Sequence, residues 1–252
     1  SSNRLPLDRD DALNSAVKDE RDLGVFFYWA TKEKRQLIKE LRKAGLSGGD
    51  FGLIALGFYN GQTANHFDQN NEFHVVSRFS YPLELGHQVI EPGIQAYTGK
   101  YVVTEHSSSI AVDTEGYLDQ RAAVSFVLYP RPFGIQAEYN VGKGPEYDKA
   151  TNTIQVKPLQ GGYATFSYYV EKWGQKFYPF VRLQYYDGGK KHELDARSYD
   201  VHDAEVGLEW HPFPHFEFLA EYTYSDRRYE DFTNTANHQK GSLFRVQAQL
   251  KF

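Results

Sequence analysis

The chain has 252 residues, a formal net charge of −5 and no cysteine. That excludes disulfide frameworks, cysteine metal sites and thiol catalysis, and it argues against a general nucleic-acid binder. With 19 Tyr, 18 Phe and a mean hydropathy of −0.61, the chain is polar on average yet rich in rings that suit strands and interfaces. No run approaches the ~20 consecutive apolar residues of a membrane-spanning helix, so a helical membrane protein is excluded while a β-barrel stays open.

The amino-terminal SSNRLPLDRDDALNSAVKDE has no apolar core, so no signal peptide is visible. The chain starts without Met, and a processed or truncated product is expected. Residues 1–21 read as an external arm. Within it, LDRDDALN (Leu7 to Asn14) clusters acids but lacks the glycine and spacing of a calcium loop. DLGVFFYW follows as an irregular strand. KEKRQLIKELRKAGL (Lys32 to Leu46) is the one helical pattern, with Leu37, Ile38, Leu41 and Leu46 at helix spacing among mostly basic neighbours. A cap over one end of the sheet is favoured for it over a surface for anionic lipid or a periplasmic partner.

From there to the end the chain alternates. FGLIALGFY, EFHVVSRFSY, RAAVSFVL, FGIQAEY and YATFSYYV put apolar residues on every second position with varying clarity, and PGIQAYTGKYV is less regular. KFYPFVRLQYY sets Phe177, Val181, Leu183 and Tyr185 against Arg182 and Gln184, and Pro179 hints at a bend or bulge. DAEVGLEW, PHFEFLAEYTY and GSLFRVQAQLKF repeat the pattern with Val206, Trp210, Phe218, Tyr222, Phe244 and Val246 on the apolar face. About eleven strands result, many near the ~9–11 residues of a tilted membrane strand. The fold class expected is all-β, a transmembrane antiparallel β-barrel over residues 22–252.

The connections alternate as well. YPLELGHQ, YPRP, EKWGQ and HPFPH are short, whereas TEHSSSIAVDTEGYLD, NVGKGPEYDKATNTIQVKPLQ, DGGKKHELDARS and SDRRYEDFTNTANHQKG are long and polar. Tight periplasmic turns and long external loops are the rule for outer-membrane barrels, and a soluble sandwich has no reason to keep one end short. Aromatics gather at strand ends, with Tyr81, Tyr129, Trp173, Phe177, Tyr178 and Trp210 by the short turns. Tyr185, Tyr186, Tyr222 and Tyr224 lie towards the other end. Both sets suit interfacial girdles. Phe252 then reads as the last outward residue of the closing strand and the signal recognised by barrel-assembly machinery.

ERDLGVFFYW (Glu20 to Trp29), followed by a strand ending GFYNGQ (Gly57 to Gln62), resembles the middle of the phosphate-selective porins of the O and P family, and the likeness runs from about Asn3 to Phe252. The resemblance implies a sixteen-stranded barrel, a homotrimer in outer-membrane lipid, and passage of small anions such as phosphate. About eleven strands counted back from a periplasmic Phe252 leave the first one entering from outside, whereas single-chain bacterial barrels carry an even number. The chain is therefore expected to be the carboxy-terminal two-thirds of a porin, with the inward-folded constriction loop in the missing part.

The polar face carries Arg78, Arg121, Arg182, Arg245 and Lys251 with Glu138, Glu171, Asp203, Glu205, Glu209, Glu217 and Glu221. Most are expected to pair across strands and stiffen the wall, and a minority to form a substrate path. HPFPH offers His211 and His215, but its prolines read as a tight turn with no third ligand. VGKGPE reads as external loop. His74 and Ser77 point to opposite faces of one strand, so no hydrolytic set assembles. No cofactor, metal or nucleic-acid partner is expected. The alternative to a channel is a soluble or surface β-sheet module whose aromatic face binds carbohydrate or a protein.

Overall fold

The computed structural model describes residues 5–16, 22–43, 52–63, 66–230 and 237–250. Strands β1 (Gly24–Trp29), β2 (Ile54–Tyr59), β3 (His74–Ser80), β4 (Leu83–Leu85), β5 (Gln88–Tyr101), β6 (Tyr117–Leu128) and β7 (Phe133–Asp148) make the first part. Strands β8 (Thr153–Tyr168), β9 (Val170–Lys172), β10 (Gln175–Gly189), β11 (Ser198–His211), β12 (Phe216–Glu230) and β13 (Asn237–Leu250) complete it. All belong to one sheet, and every pairing is antiparallel between neighbours in the chain.

The two three-residue strands are continuations of their predecessors. β4 extends β3 along β5 in the same register across Pro82, and β9 extends β8 along β10 across Tyr169. A proline has no N–H to give the ladder, and Pro179 lies opposite the second gap. The register with β11 runs through Pro179 unbroken, so the bulge expected there is absent. The path across the sheet thus has eleven strand positions, with β1 and β13 at its two edges.

Burial is inverted relative to a water-soluble sheet. Ile94, Val124, Leu183, Val206, Phe244 and Val246 are each more than half exposed, while Asp119, Arg121, Arg182, Glu205 and Glu221 are buried. Contiguous apolar exposure on this scale is not compatible with water. The sheet also curls towards its polar face. Arg121 of β6 and Arg227 of β12 are five strand steps apart, about 24 Å if flat, yet both reach the same short helix, α1 (Asp11–Asn14).

Flat cross-strand seats for rings need glycine. A Cβ on Gly99 would stand 2.0 Å from the His74 ring and one on Gly57 2.3 Å from the Phe26 ring. The rings of Phe26, Tyr59, His74 and Tyr97 follow one another across β1, β2, β3 and β5 at centroid distances of 6.3, 5.2 and 5.9 Å.

Three sequence expectations change. Strands β7 and β8 run to a four-residue turn at 149–152, so the supposed long loop NVGKGPEYDKATNTIQVKPLQ, VGKGPE included, is paired strand. Tyr129, Tyr178 and Tyr186 are buried, 6, 7 and 0 % exposed, on the polar side; neighbours in a strand face opposite ways, so only Phe177 and Tyr185 of the adjacent pairs stay outward. Finally, residues 5–16, expected as part of an external arm, lie against the polar face instead.

Helix α2 (Lys32–Lys43) forms where the periodicity put it. It connects β1 to β2 at the short-turn end, and its buried Leu37 and Leu41 pack with Val89 and Tyr129 of the inner face. Lys34 Nζ lies 5.0 Å from the Tyr81 ring centroid. Leu46, the fourth apolar position of the pattern, lies outside the described residues.

Candidate functional site

The concave face is organised by the arm. Asp10 caps α1, its carboxylate accepting from the Leu13 amide at 2.9 Å. Other polar groups of the segment turn to the wall. Leu7 N–H donates to Glu221 Oε2 at 2.9 Å and Asp11 N–H to Gln184 Oε1 at 3.0 Å. Arg182 Nη1 donates to the Asp8 carbonyl at 2.8 Å, and Arg245 Nη1 to the Asp8 carboxylate at 2.7 Å. Arg121 donates to the Ala12 carbonyl at 3.3 Å, to Ser15 Oγ at 2.6 Å and to the Ser15 carbonyl at 2.9 Å. The Asp11 carboxylate takes Lys190 and, at 3.2 Å, Arg227. Asp8 and Asp11 of LDRDDALN are thus committed to side chains of the wall, and Asp10 to the helix cap.

Behind the arm the wall pairs with itself. Arg182 Nη2 meets Glu205 at 2.6 Å and Arg245 Nη2 meets Glu221 at 2.6 Å. Asp203 takes Arg227, and Asp119 takes Lys191 with Arg121 at 3.5 Å. Six cations (Arg121, Arg182, Lys190, Lys191, Arg227 and Arg245) therefore face six carboxylates (Asp8, Asp11, Asp119, Asp203, Glu205 and Glu221) in these ion pairs. Buried charges of one sign without partners would be costly; balanced and hydrogen-bonded, they are tolerated and hold the curl.

Of the residues singled out from the sequence, Arg121, Arg182, Arg245, Asp203, Glu205 and Glu221 come together here. Arg78 stands apart, with Glu91 at 3.4 Å, and Glu138 accepts from Gln95 at 2.8 Å. Glu209 and Glu217 lie near the short turns with His211, away from the arginines. Lys251 and Phe252 lie outside the described residues. Sequence reading missed Lys190 and Lys191, which sat in an assumed loop, and Arg227 and Asp11, whose partners are remote in the chain. Asp119 could have been found: it shares the strand face of Arg121 two positions on.

A curled antiparallel sheet with an apolar exterior and a charged interior defines an outer-membrane β-barrel protein of the porin class. The family model described as phosphate-selective porin O and P matches residues 43–252, and the chain belongs to that family, one of channels in the bacterial outer membrane. No curated protein and no solved structure matches it significantly. The arm, β1 and almost all of α2 precede the matched region. The alternative of a soluble binding module is set aside by the family and by the exposed apolar face together.

Proposed function

We propose that this porin passes small anions, phosphate among them, with only a modest preference over cations. What supports the reading is the placement of three guanidinium groups: Arg121 gives both terminal nitrogens to oxygens of the arm, and Arg182 and Arg245 each give one to Asp8 of the arm and one to a carboxylate of the wall. Such forks suit any oxyanion. The equal numbers of cations and carboxylates argue for modest rather than strong selectivity, because a focused field needs unpaired charge of one sign. Arg78, Glu209, Glu217 and Lys251 belong to the lining in this reading, outside the arginine group. The working form is a homotrimer, measurable as mass in mild detergent, and Phe252 is the residue that the assembly machinery reads.

Reversal potential across a planar bilayer under a KCl gradient tests the selectivity. The native channel should be weakly anion-selective, and Asp8→Asn with Asp11→Asn should raise the anion-to-cation permeability ratio roughly two-fold or more, since two carboxylates leave the arginine group. A cation-selective native channel, or a double variant with an unchanged ratio, would overturn the reading.

A further inference from the structure

We propose that Glu209, His211 and Glu217 form a site for a first-row transition-metal dication at the short-turn mouth of the barrel. All three belong to one hairpin. Glu209 and His211 are two residues apart on β11 and share a face. The β11–β12 register, Glu209 with Leu219 and Trp210 with Phe218, places Glu217 across from His211. One ligand atom from each residue lies within 4.8 Å of the other two. Metal–ligand bonds of about 2.0–2.2 Å put ligand atoms about 3.4 Å apart in a tetrahedral site, so side-chain rotations alone can close the set.

The donors are already held in place. His211 Nε2 stands 2.6 Å from Glu209 Oε1, so the ring nitrogen that would bind metal is aimed at the carboxylate. The ring packs against Tyr178 at 5.6 Å between centroids. Glu209 is 9 % exposed. Both strands are hydrogen-bonded over their length, and donors on paired strands hold their geometry better than donors on loops. Lys176 of β10 stands opposite His211 in register, one cation beside two carboxylates. His215, the other histidine of HPFPH, lies in the turn with φ 69° and is not in the cluster.

One imidazole with two carboxylates matches Zn²⁺, Co²⁺ or Mn²⁺ better than Mg²⁺ or Ca²⁺, which prefer all-oxygen sets. The remaining coordination positions would be filled by water from the bore. An ion held there adds two positive charges at the mouth, where permeating ions must pass.

Titration of the detergent-solubilised full chain with ZnCl₂, followed by calorimetry, tests the site, with ZnCl₂ added to one side or the other of a bilayer as the second measurement. One Zn²⁺ per chain should bind. His211→Ala and the isosteric Glu217→Gln should each weaken binding by at least roughly ten-fold, while His215→Ala leaves it unchanged. Current should respond to Zn²⁺ at lower concentration from the short-turn side. Each variant is first checked for heat-modifiable migration on gels, and Glu217→Gln stands alone if His211→Ala does not fold. No Zn²⁺ binding by the native chain, equal binding by native and Glu217→Gln chains, or loss only with His215→Ala would each overturn the proposal, whatever the anion selectivity proves to be.

Discussion

Arg121 links wall and arm through a single side chain. Its guanidinium reaches Asp119 on its own strand and three acceptors of the arm, at Ala12 and Ser15. Three hydrogen bonds and an ion pair from one side chain need the planar fork, which lysine does not have. Glutamine at this position would leave Asp119 to Lys191 and release the carboxy-terminal half of the arm. Because the chain has no cysteine, a single Ala12→Cys reporter gives a clean readout. Ala12 is 1 % exposed, so a maleimide should label Cys at this site slowly in the native background and at least roughly ten-fold faster with Arg121→Gln, as a local opening of ~1.4 kcal/mol or more becomes cheaper. Equal rates would mean that the arm is held by its other contacts alone.

At the level of elements, α2 and the arm close the polar face from different directions. The helix has a narrow apolar stripe, Leu37, Ile38 and Leu41, set among charged residues, and it seats Leu37 and Leu41 on Val89 and Tyr129. Leu41 is fully buried. Replacing it with Ala should cost about 2–4 kcal/mol of docking energy, more than a twelve-residue helix supplies by itself in water. Trypsin, which cleaves after the Lys and Arg residues of α2, should then cut the Leu41→Ala variant rapidly while the strands resist. A native-like digestion rate would show that the helix is anchored by its ends. The periodicity of residues 32–43 made this element legible, whereas its seat was not, because Val89 and Tyr129 are more than 40 positions away in strands that alternate for other reasons.

For the whole molecule, the inside-out burial carries the fold. The outer face must be solvated by lipid or detergent, and the charged inner face is stabilised by pairing. A charge placed at mid-strand outside should therefore act differently from one inside. Leu183→Arg, at an outward position 52 % exposed, should destabilise the inserted barrel by about 2–4 kcal/mol if it lies near the midplane. Urea titration of protein refolded into vesicles measures it. Phe252→Lys, in the same assay, should leave the stability of folded molecules nearly unchanged but lower the folded yield in cells. Reduced stability without reduced yield would assign Phe252 to packing instead of recognition.

The sequence by itself determined which residues face lipid and which face the interior, because side-chain alternation is a property of the local backbone and repeats every two residues along each strand. It also determined most strand positions, the short end of the sheet and α2, but not the paired stretch of β7 and β8 between 140 and 160, whose glycines, prolines and charges read as a loop. Adjacent aromatics defeated it at Phe177–Tyr178 and Tyr185–Tyr186, where both rings were assigned outward although alternation allows only one. Tertiary structure alone decided that residues 5–16 fold onto the polar face, that Asp8 meets Arg245 and Arg182, that Asp11 meets Lys190 and Arg227, and that Glu217 joins Glu209 and His211. Those partners are set by how far the sheet curls and by the strand register, quantities that arise from the twist and pairing of all its strands and leave no period in the sequence.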